Sequence, residues 1–184
     1  GTQGRLRNAG WGLLGLASLA REFKRLGVTG PYADTLVATI NNLVAVVRLK
    51  WPLIADADGP NGDHLDALHL ETFMLGILGE ALRQLAVLGF DVVDLRLRLE
   101  ALVRAARVGP VAYVYDLRVT TSGDPVGADP TDKVVTGWGG TNSWLTGALG
   151  LASPEYGELL EAARKAGGPT KYPAGYANLF GLVD

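Results

Sequence analysis

The residues best able to do chemistry are concentrated in one stretch, DADGPNGDHLDALHLETFMLGILGEALRQL, which covers residues 56–85. It contains both histidines of the chain, His64 and His69. Around them lie several carboxylates, which belong to Asp56, Asp58, Asp63, Asp66 and Glu71. Imidazole and carboxylate groups bind metals and transfer protons, so this stretch is the first candidate for a site.

The acidic loop at the start of the stretch is a candidate calcium site. An EF-hand loop reads D-x-[DN]-x-[DN]-G and has a glutamate at its twelfth position. Asp56 and Asp58 match the first and third positions, whereas the fifth, sixth and twelfth hold Pro, Asn and Ala. The pattern does not indicate an EF-hand, and a non-standard Ca²⁺ site of Asp56, Asp58, Asn61 and Asp63 is one interpretation. The other is that Gly-Pro and Asn-Gly form turns and Asp63 caps a helix.

Apolar residues in the rest of the stretch recur at helical spacing, which predicts a helix over residues 63–88. At 100° per residue, His64 and His69 lie about 140° apart on that helix. They therefore do not converge on one metal as an H-x-x-x-H pair does. The same angles place Glu80 on the polar side and Glu71 in the middle of the apolar side.

Glu71 is the side chain whose predicted position conflicts with its chemistry. A carboxylate on an apolar face must be paired, protonated or close to water. One interpretation is a salt bridge to Arg21, Arg25 or Arg48, or an exit to solvent at the edge of the bundle. The other is a catalytic base or a ligand at a buried site. The sequence favours the first, because it places no second acid or base beside Glu71.

The remaining pattern predicts a mainly α member of the α+β class. Helices are predicted over residues 6–26, 31–51, 63–88 and 91–108, the last capped by Asp91, and they form a bundle over residues 5–108. A strand follows at 111–120, a return strand at 133–138 completes a long β-hairpin, and a helix at 153–166 begins with Ser153 as its N-cap. An irregular aromatic arm ends the chain. The predicted division is a helical bundle (1–108) and a smaller α+β subdomain (109–184) packed with it as one unit.

The composition is that of a folded domain, and its small net charge gives no indication of a strongly charged partner. The 184 residues are 48% hydrophobic and 20% charged, the formal charge is −2 and the pI is about 5.7. There is no overall basic surface for nucleic acid. Without cysteine, disulfides and thiolate chemistry are excluded, while the compartment is left open. Twelve arginines against five lysines, with abundant Ala, Gly, Leu and Val, indicate a GC-rich bacterium or its phage.

Known catalytic and targeting patterns are absent from the sequence. It contains no G-x-S-x-G, P-loop, G-x-G-x-x-G after a strand, or H-E-x-x-H. The arginines and apolar run near residue 5 imitate a signal peptide, but the charged continuation from Arg21 argues against one. No apolar run reaches the roughly 18 residues needed to cross a bilayer. We therefore expect a soluble protein, cytoplasmic or part of a virion, without a membrane partner.

The aromatic residues of the second half suggest a protein interface. Tyr and Trp are enriched in interface cores, and the candidates are Tyr113, Tyr115, Trp138, Trp144, Tyr172, Tyr176 and Phe180. We expect a non-enzymatic structural subunit of a larger assembly, such as a phage virion, that contacts copies of itself or other subunits through the hairpin and the aromatic arm. The alternative is a helical-bundle enzyme or ligand-binding domain that uses Glu71 or the Ca²⁺ loop.

Overall fold

A computed structural model describes residues 5–51, 56–58, 64–120, 122–127, 133–139 and 142–166, and for residues 5–7, 56–58 and 64–68 it describes the backbone only. The described part has a mainly helical α+β fold with two small antiparallel sheets. The helices are α1 (Arg5–Leu26), α2 (Pro31–Leu49), α3 (Thr72–Val87), α4 (Val93–Ala105), a 3-10 helix (Asn142–Ala148) and α5 (Pro154–Lys165). The strands are β1 (Asp56–Asp58), β2 (His64–Glu71), β3 (Arg107–Gly109), β4 (Ala112–Val114), β5 (Asp116–Val119), β6 (Pro125–Gly127) and β7 (Val134–Thr136).

Three helices agree with the ranges expected from the sequence: α1, α2 and α5. α2 and α5 each have a clear local signal at their first turn. Pro31 occupies the first turn of α2, where its missing N–H costs nothing. The Ser153 hydroxyl accepts a hydrogen bond from the Tyr156 N–H at 3.2 Å, which caps α5 as predicted.

The predicted helix over residues 63–88 is wrong in its first third. Residues His64–Glu71 form β2, and α3 begins only at Thr72. The segment Leu68-His69-Leu70-Glu71 alternates apolar and polar residues, which suits a strand once a partner is present. That partner is β5, whose Val119 to Asp116 pair with Leu68 to Glu71. The predicted cap, Asp63, lies outside the described residues.

The predicted strand over residues 111–120 is divided between the two sheets. A bend at Tyr115 separates β4 from β5. β4 pairs with β3 and with β7, the predicted return strand. β5 instead joins the four-stranded sheet in the order β1-β2-β5-β6, and β6 lies in the connection between the two predicted strands, where no strand was expected. Both sheets thus pair residues from the two sides of position 108, where the sequence placed the division of the chain.

The fourth helix is shorter than predicted. α4 ends at Ala105 because Arg107–Gly109 leaves it to form β3. Its N-cap position is Val92, without a side-chain capping bond, so Asp91 is not the cap. The guanidinium of Arg48 instead holds this end of α4, since its Nη2 donates to the Asp91 carbonyl and to Asp94 Oδ1 at 3.1 and 2.6 Å.

The centre of the fold is α3, which is covered on two sides. α1 packs on one side, where a Cβ at Gly10 would lie 2.9 Å from Ile77 Cγ2. The 3-10 helix packs on the other, where a Cβ at Gly76 would overlap the Trp144 carbonyl and one at Gly79 would lie 2.5 Å from Ala148 Cα. Only residues without a side chain allow such an approach of two backbones. Around this contact the core contains fully buried residues that include Leu13, Ala17, Ile40, Leu75, Leu78, Leu82, Leu85, Leu95 and Leu99.

None of the helices in the described ranges is both long and apolar enough to cross a membrane.

The substitution Gly76→Ala tests the contact between α3 and the 3-10 helix. The new methyl group would overlap a backbone carbonyl, so we expect the free energy of unfolding to fall by about 1–3 kcal/mol or more. Gly157→Ala in α5 is the matched control, because no atom lies within 4 Å of its added Cβ. There the gain in helix propensity should raise stability by about 0.5–1 kcal/mol. Urea unfolding measures both, and equal effects at the two positions would contradict the packing described.

Candidate functional site

Glu71 lies at the end of β2, not on the apolar face of a helix. Its side chain is half-buried, and Tyr115 donates a hydrogen bond from its hydroxyl to Glu71 Oε1 at 3.1 Å. Two of the three cations suggested for it bind elsewhere: Arg25 pairs with Glu22 at 2.8 Å and Arg48 with Asp94 at 2.6 Å. The conflict between burial and charge that singled out Glu71 therefore came from the wrong secondary structure.

The polar side of the β2–β5 pair brings together ionisable residues that are far apart in sequence. His69 is opposite Arg118, and Glu71 is opposite Asp116. His69 is buried, and the other three are half-buried. The intervening pair, Leu70 and Leu117, is buried in the core, so the sheet has one apolar and one polar side.

Two further contacts extend this polar side. Lys133 Nζ lies 4.6 Å from the centre of the Tyr115 ring, in cation–π geometry. On the far side of β2, the backbone of Asp56 pairs with that of His69, and Asp58 pairs with His64. The histidines thus belong to a strand, and the angle of about 140° expected from a helix does not apply.

The calcium proposal falls mostly outside the described residues. Asp56 and Asp58 have a described backbone in β1, whereas Asn61 and Asp63 lie outside the described part of the chain. Within the described residues, no group of three or more His, Asp and Glu side chains is arranged to hold a metal ion. The Ca²⁺ loop stays a prediction.

The buried carboxylate of this protein is Glu80, which the sequence placed on a polar face. It is 1% exposed. Arg83 donates to both carboxylate oxygens, from Nε at 3.0 Å and from Nη2 at 2.8 Å, and Gln84 Nε2 donates to Oε1 at 2.9 Å. The 3-10 helix covers the polar side of α3 and keeps water from the Glu80 carboxylate. Side chains one turn further along α3 supply its hydrogen bonds instead. The signal in the sequence was Arg and Gln at i+3 and i+4 beside the small residues Gly76 and Gly79.

A second ionic cluster fastens α5 to the body of the fold. Arg107 Nη2 donates to both carboxylate oxygens of Glu158, at 2.6 and 2.8 Å, and these bonds raise the pKa of Arg107. Arg104 pairs with Glu100 at 2.8 Å and lies 3.6 Å from Glu155. The interactions are only partly exposed, so they fix the position of α5 better than fully solvated ion pairs do.

The aromatic residues expected at an interface have different positions. Tyr113 and Trp138 are buried in the core of this chain. Trp144 is half-buried and makes an edge-to-face contact with Trp11, with ring centres 5.4 Å apart. Tyr115 is half-buried beside Glu71. The arm residues Tyr172, Tyr176 and Phe180 lie outside the described residues.

A large uncharged surface is present instead on the outer side of α1 and α2. Residues 8–20 and 35–47, thirteen in each helix, include no Asp, Glu, Lys or Arg. The two helices pack together, since a Cβ at Gly12 would lie 3.8 Å from Leu43 Cδ2. Among the exposed residues of the two helices, one set recurs at helical spacing along this side: Asn8, Gly12, Gly15, Leu19, Thr35, Ala38, Thr39, Asn42, Ala45, Val46 and Leu49. We call these residues the α1–α2 face.

The hydroxyl groups on and beside this face are bonded within their own helices. Thr35 Oγ1 donates to the Pro31 carbonyl at 2.7 Å, and Thr39 Oγ1 donates to the Thr35 carbonyl at 2.8 Å. Ser18 in α1 donates to Leu14 in the same way at 2.9 Å. Because these groups are already satisfied, removing water from them costs less than removing it from free hydroxyls.

An apolar groove of about 430 Å³ opens beside the face, where the C-terminal ends of α1 and α3 meet the start of α2. Both ends are Schellman turns with a glycine at positive φ. Val28 N–H donates to the Phe23 carbonyl and Phe90 N–H to the Leu85 carbonyl, at 2.9 and 3.0 Å. Phe23, Val28 and Phe90 line the groove.

Comparisons of the chain with protein-family models, with curated proteins and with solved structures give no match.

Removing the Glu80 carboxylate should cost more than removing an exposed one. In Glu80→Ala the guanidinium of Arg83, whose side chain is only 18% exposed, loses its partner. We expect a loss of about 3 kcal/mol in the free energy of unfolding. The control is Glu161→Ala, since Glu161 pairs with Arg164 on the exposed side of α5 and its loss should not measurably move the urea midpoint. Similar shifts in both variants would show that Glu80 is not buried.

Tyr113 should make the protein sensitive to alkali. Burial raises the pKa of Tyr113 to about 12, above the value of about 10 for an unfolded chain. The neutral phenol therefore contributes stability that is fully present below about pH 10 and is lost as the pH rises towards 12. Urea unfolding across this range should show a steeper loss for the natural chain than for Tyr113→Phe. Parallel curves for the two proteins would contradict the assignment.

Proposed function

We propose that this protein is a non-enzymatic structural subunit of an oligomeric assembly, and that it contacts other subunits through the α1–α2 face. The observation that carries the proposal is the absence of charge from two neighbouring, solvent-facing helices. The chain is 20% charged overall, so 26 residues of average composition would contain about five charged side chains. Residues 8–20 and 35–47 contain none.

The exposed apolar residues support an interface role for this surface. Leu19, Val46 and Leu49 are 45%, 51% and 77% exposed. A helix at the surface of a monomer normally has charged residues on its outer side, and large contiguous apolar patches mark places where another molecule binds. Leu49 gains the most from such contact because it is the most exposed of the three, and burial of a Leu side chain is worth about 1.5–3 kcal/mol.

The charged residues of the two helices leave this face free. Glu22 and Arg25 pair with each other at the end of α1. Arg48 turns towards α4, where its hydrogen bonds lower the pKa of Asp94. No ion pair therefore has to be broken for a partner to cover the middle of the face. The predicted contacts of the arm residues Tyr172, Tyr176 and Phe180 would add to such an assembly.

The α1–α2 face is tested by placing a charge at its centre. Ala45→Glu should lower the oligomeric mass measured by light scattering during size-exclusion chromatography, because a desolvated, unpaired carboxylate opposes association. Ala101→Glu is the matched control: it makes the same change at an exposed position of α4. It should leave the mass unchanged.

The thermal midpoints of both variants should stay close to that of the natural chain, since alanine and glutamate both favour helices. A natural chain that is monomeric at all concentrations would contradict the proposed function. An oligomer that Ala45→Glu does not weaken would show that another surface holds it together.

A further inference from the structure

We infer that Asn142 holds the turn over residues 109–112 in a strained conformation, and that the turn relaxes when the 3-10 helix moves away from α3. Asn142 is then a positioning residue, and the turn is a conformational device that links the second sheet, formed by β3, β4 and β7, to the packing of α3. This link goes beyond the proposed function, because none of its residues belongs to the α1–α2 face.

Val111 has a backbone conformation that suits glycine. Gly109 pairs with Ala112, so Pro110 and Val111 are the two central residues of a tight turn between β3 and β4. Val111 has a φ of 49°, and no other residue except glycine has a positive φ in the described ranges. In a turn with proline at its first central position, a positive φ at the second favours glycine or asparagine. A β-branched residue keeps such a φ only when the surrounding structure holds it there.

Gly137 and Asn142 hold the turn through its carbonyl groups. The Gly137 N–H donates to the Val111 carbonyl at 2.9 Å, directly beyond the last pair of β4 and β7. Asn142 Nδ2 donates to the carbonyls of Gly137 and Val135, each at 3.0 Å, and reaches the Val111 carbonyl at 3.5 Å. Asn142 is 1% exposed, so little water reaches its amide to replace these bonds. One buried amide therefore serves three carbonyls around the turn.

The position of the Asn142 amide is set by the packing on α3. Asn142 is the first residue of the 3-10 helix. Later in that helix, a Cβ at Gly147 would overlap the Gly76 carbonyl of α3, so the two backbones are in direct contact. Such close packing leaves the 3-10 helix one position along α3, and that position places the amide beside the turn.

Loss of this contact gives the turn a second conformation. The hydrogen bonds that offset the strain depend on Asn142, so without them Val111 returns to negative φ and its carbonyl leaves Gly137. β3 leads into this turn and carries Arg107, whose guanidinium holds α5 through Glu158. The turn thus lies between the packing of α3 and the attachment of α5.

Nuclear magnetic resonance measures the conformation of Val111 directly. The amide and α protons of one residue lie closest at positive φ, where they give a strong intraresidue Overhauser effect. We expect this strong effect in the natural chain and its loss in Asn142→Ala. Thr146→Val is the matched control, because it removes a buried hydroxyl that bonds to Ser143 within the same 3-10 helix. It should keep the effect. A strong effect that persists in Asn142→Ala would overturn the role of Asn142.

A double-mutant cycle with Val111→Gly measures the strain itself. The Val111 side chain is half-buried against the core, and its loss costs the same in both backgrounds, but strain is relieved only where Asn142 maintains it. Val111→Gly should raise the unfolding equilibrium constant about five- to thirty-fold more in Asn142→Ala than in the natural chain, the factor expected from one left-handed residue. Equal effects in the two backgrounds would overturn the strain. Asn142→Ser, which keeps one donor, replaces Asn142→Ala if that variant does not fold.

Gly76→Ala tests the coupling to α3. Its methyl group would displace the Trp144 carbonyl and with it the start of the 3-10 helix. The folded form of Gly76→Ala should lose the strong Overhauser effect at Val111, whereas Gly157→Ala, with no atom within 4 Å of its added Cβ, should retain it. A folded Gly76→Ala chain with an unchanged effect at Val111 would overturn the coupling between the turn and α3.

Discussion

The contact on which the fold depends is the approach of the 3-10 helix to the backbone of α3. Gly76 and Gly79 leave no side chain between the two elements, so the Trp144 and Ala148 backbones lie directly against α3. Dispersion and close packing at this distance replace the side-chain layer that usually separates two helices. The opposite side of α3 receives α1 at Gly10 in the same manner. α3 thus becomes the buried axis of the protein although its sequence is not apolar on every side.

That arrangement has an electrostatic consequence at Glu80. Covering the polar side of α3 removes water from a carboxylate, and the cost is offset by three hydrogen bonds from Arg83 and Gln84. Burial also raises the pKa of Tyr156 in α5, on which Arg83 and Glu80 both act. The pair between Arg107 and Glu158 holds α5 against the body of the fold.

Polar groups inside the fold contrast with an uncharged exterior on α1 and α2. The buried Glu80 carboxylate is hydrogen-bonded within the fold, whereas the outer sides of two adjacent helices carry no charge over their central turns. A monomer gains no folding energy from an uncharged exterior, and it loses solubility. The contact with another subunit that we propose would cover this surface.

The sequence by itself determined the helices that are signalled locally. Pro31, Ser153 and the apolar stripes of α1 and α2 act within a few residues, so α1, α2 and α5 were predicted nearly to their ends. The alternating pattern of residues 111–120 also predicted β structure, which the fold divides into β4 and β5. Residues 64–71 were assigned to a helix because the choice between helix and strand there depends on β5, whose paired residues lie about fifty positions further along the chain. Only the tertiary structure decided that Glu80 is buried and that Glu71 lies outside the core. Burial depends on which elements cover a helix, and the residues of one helix do not specify these elements.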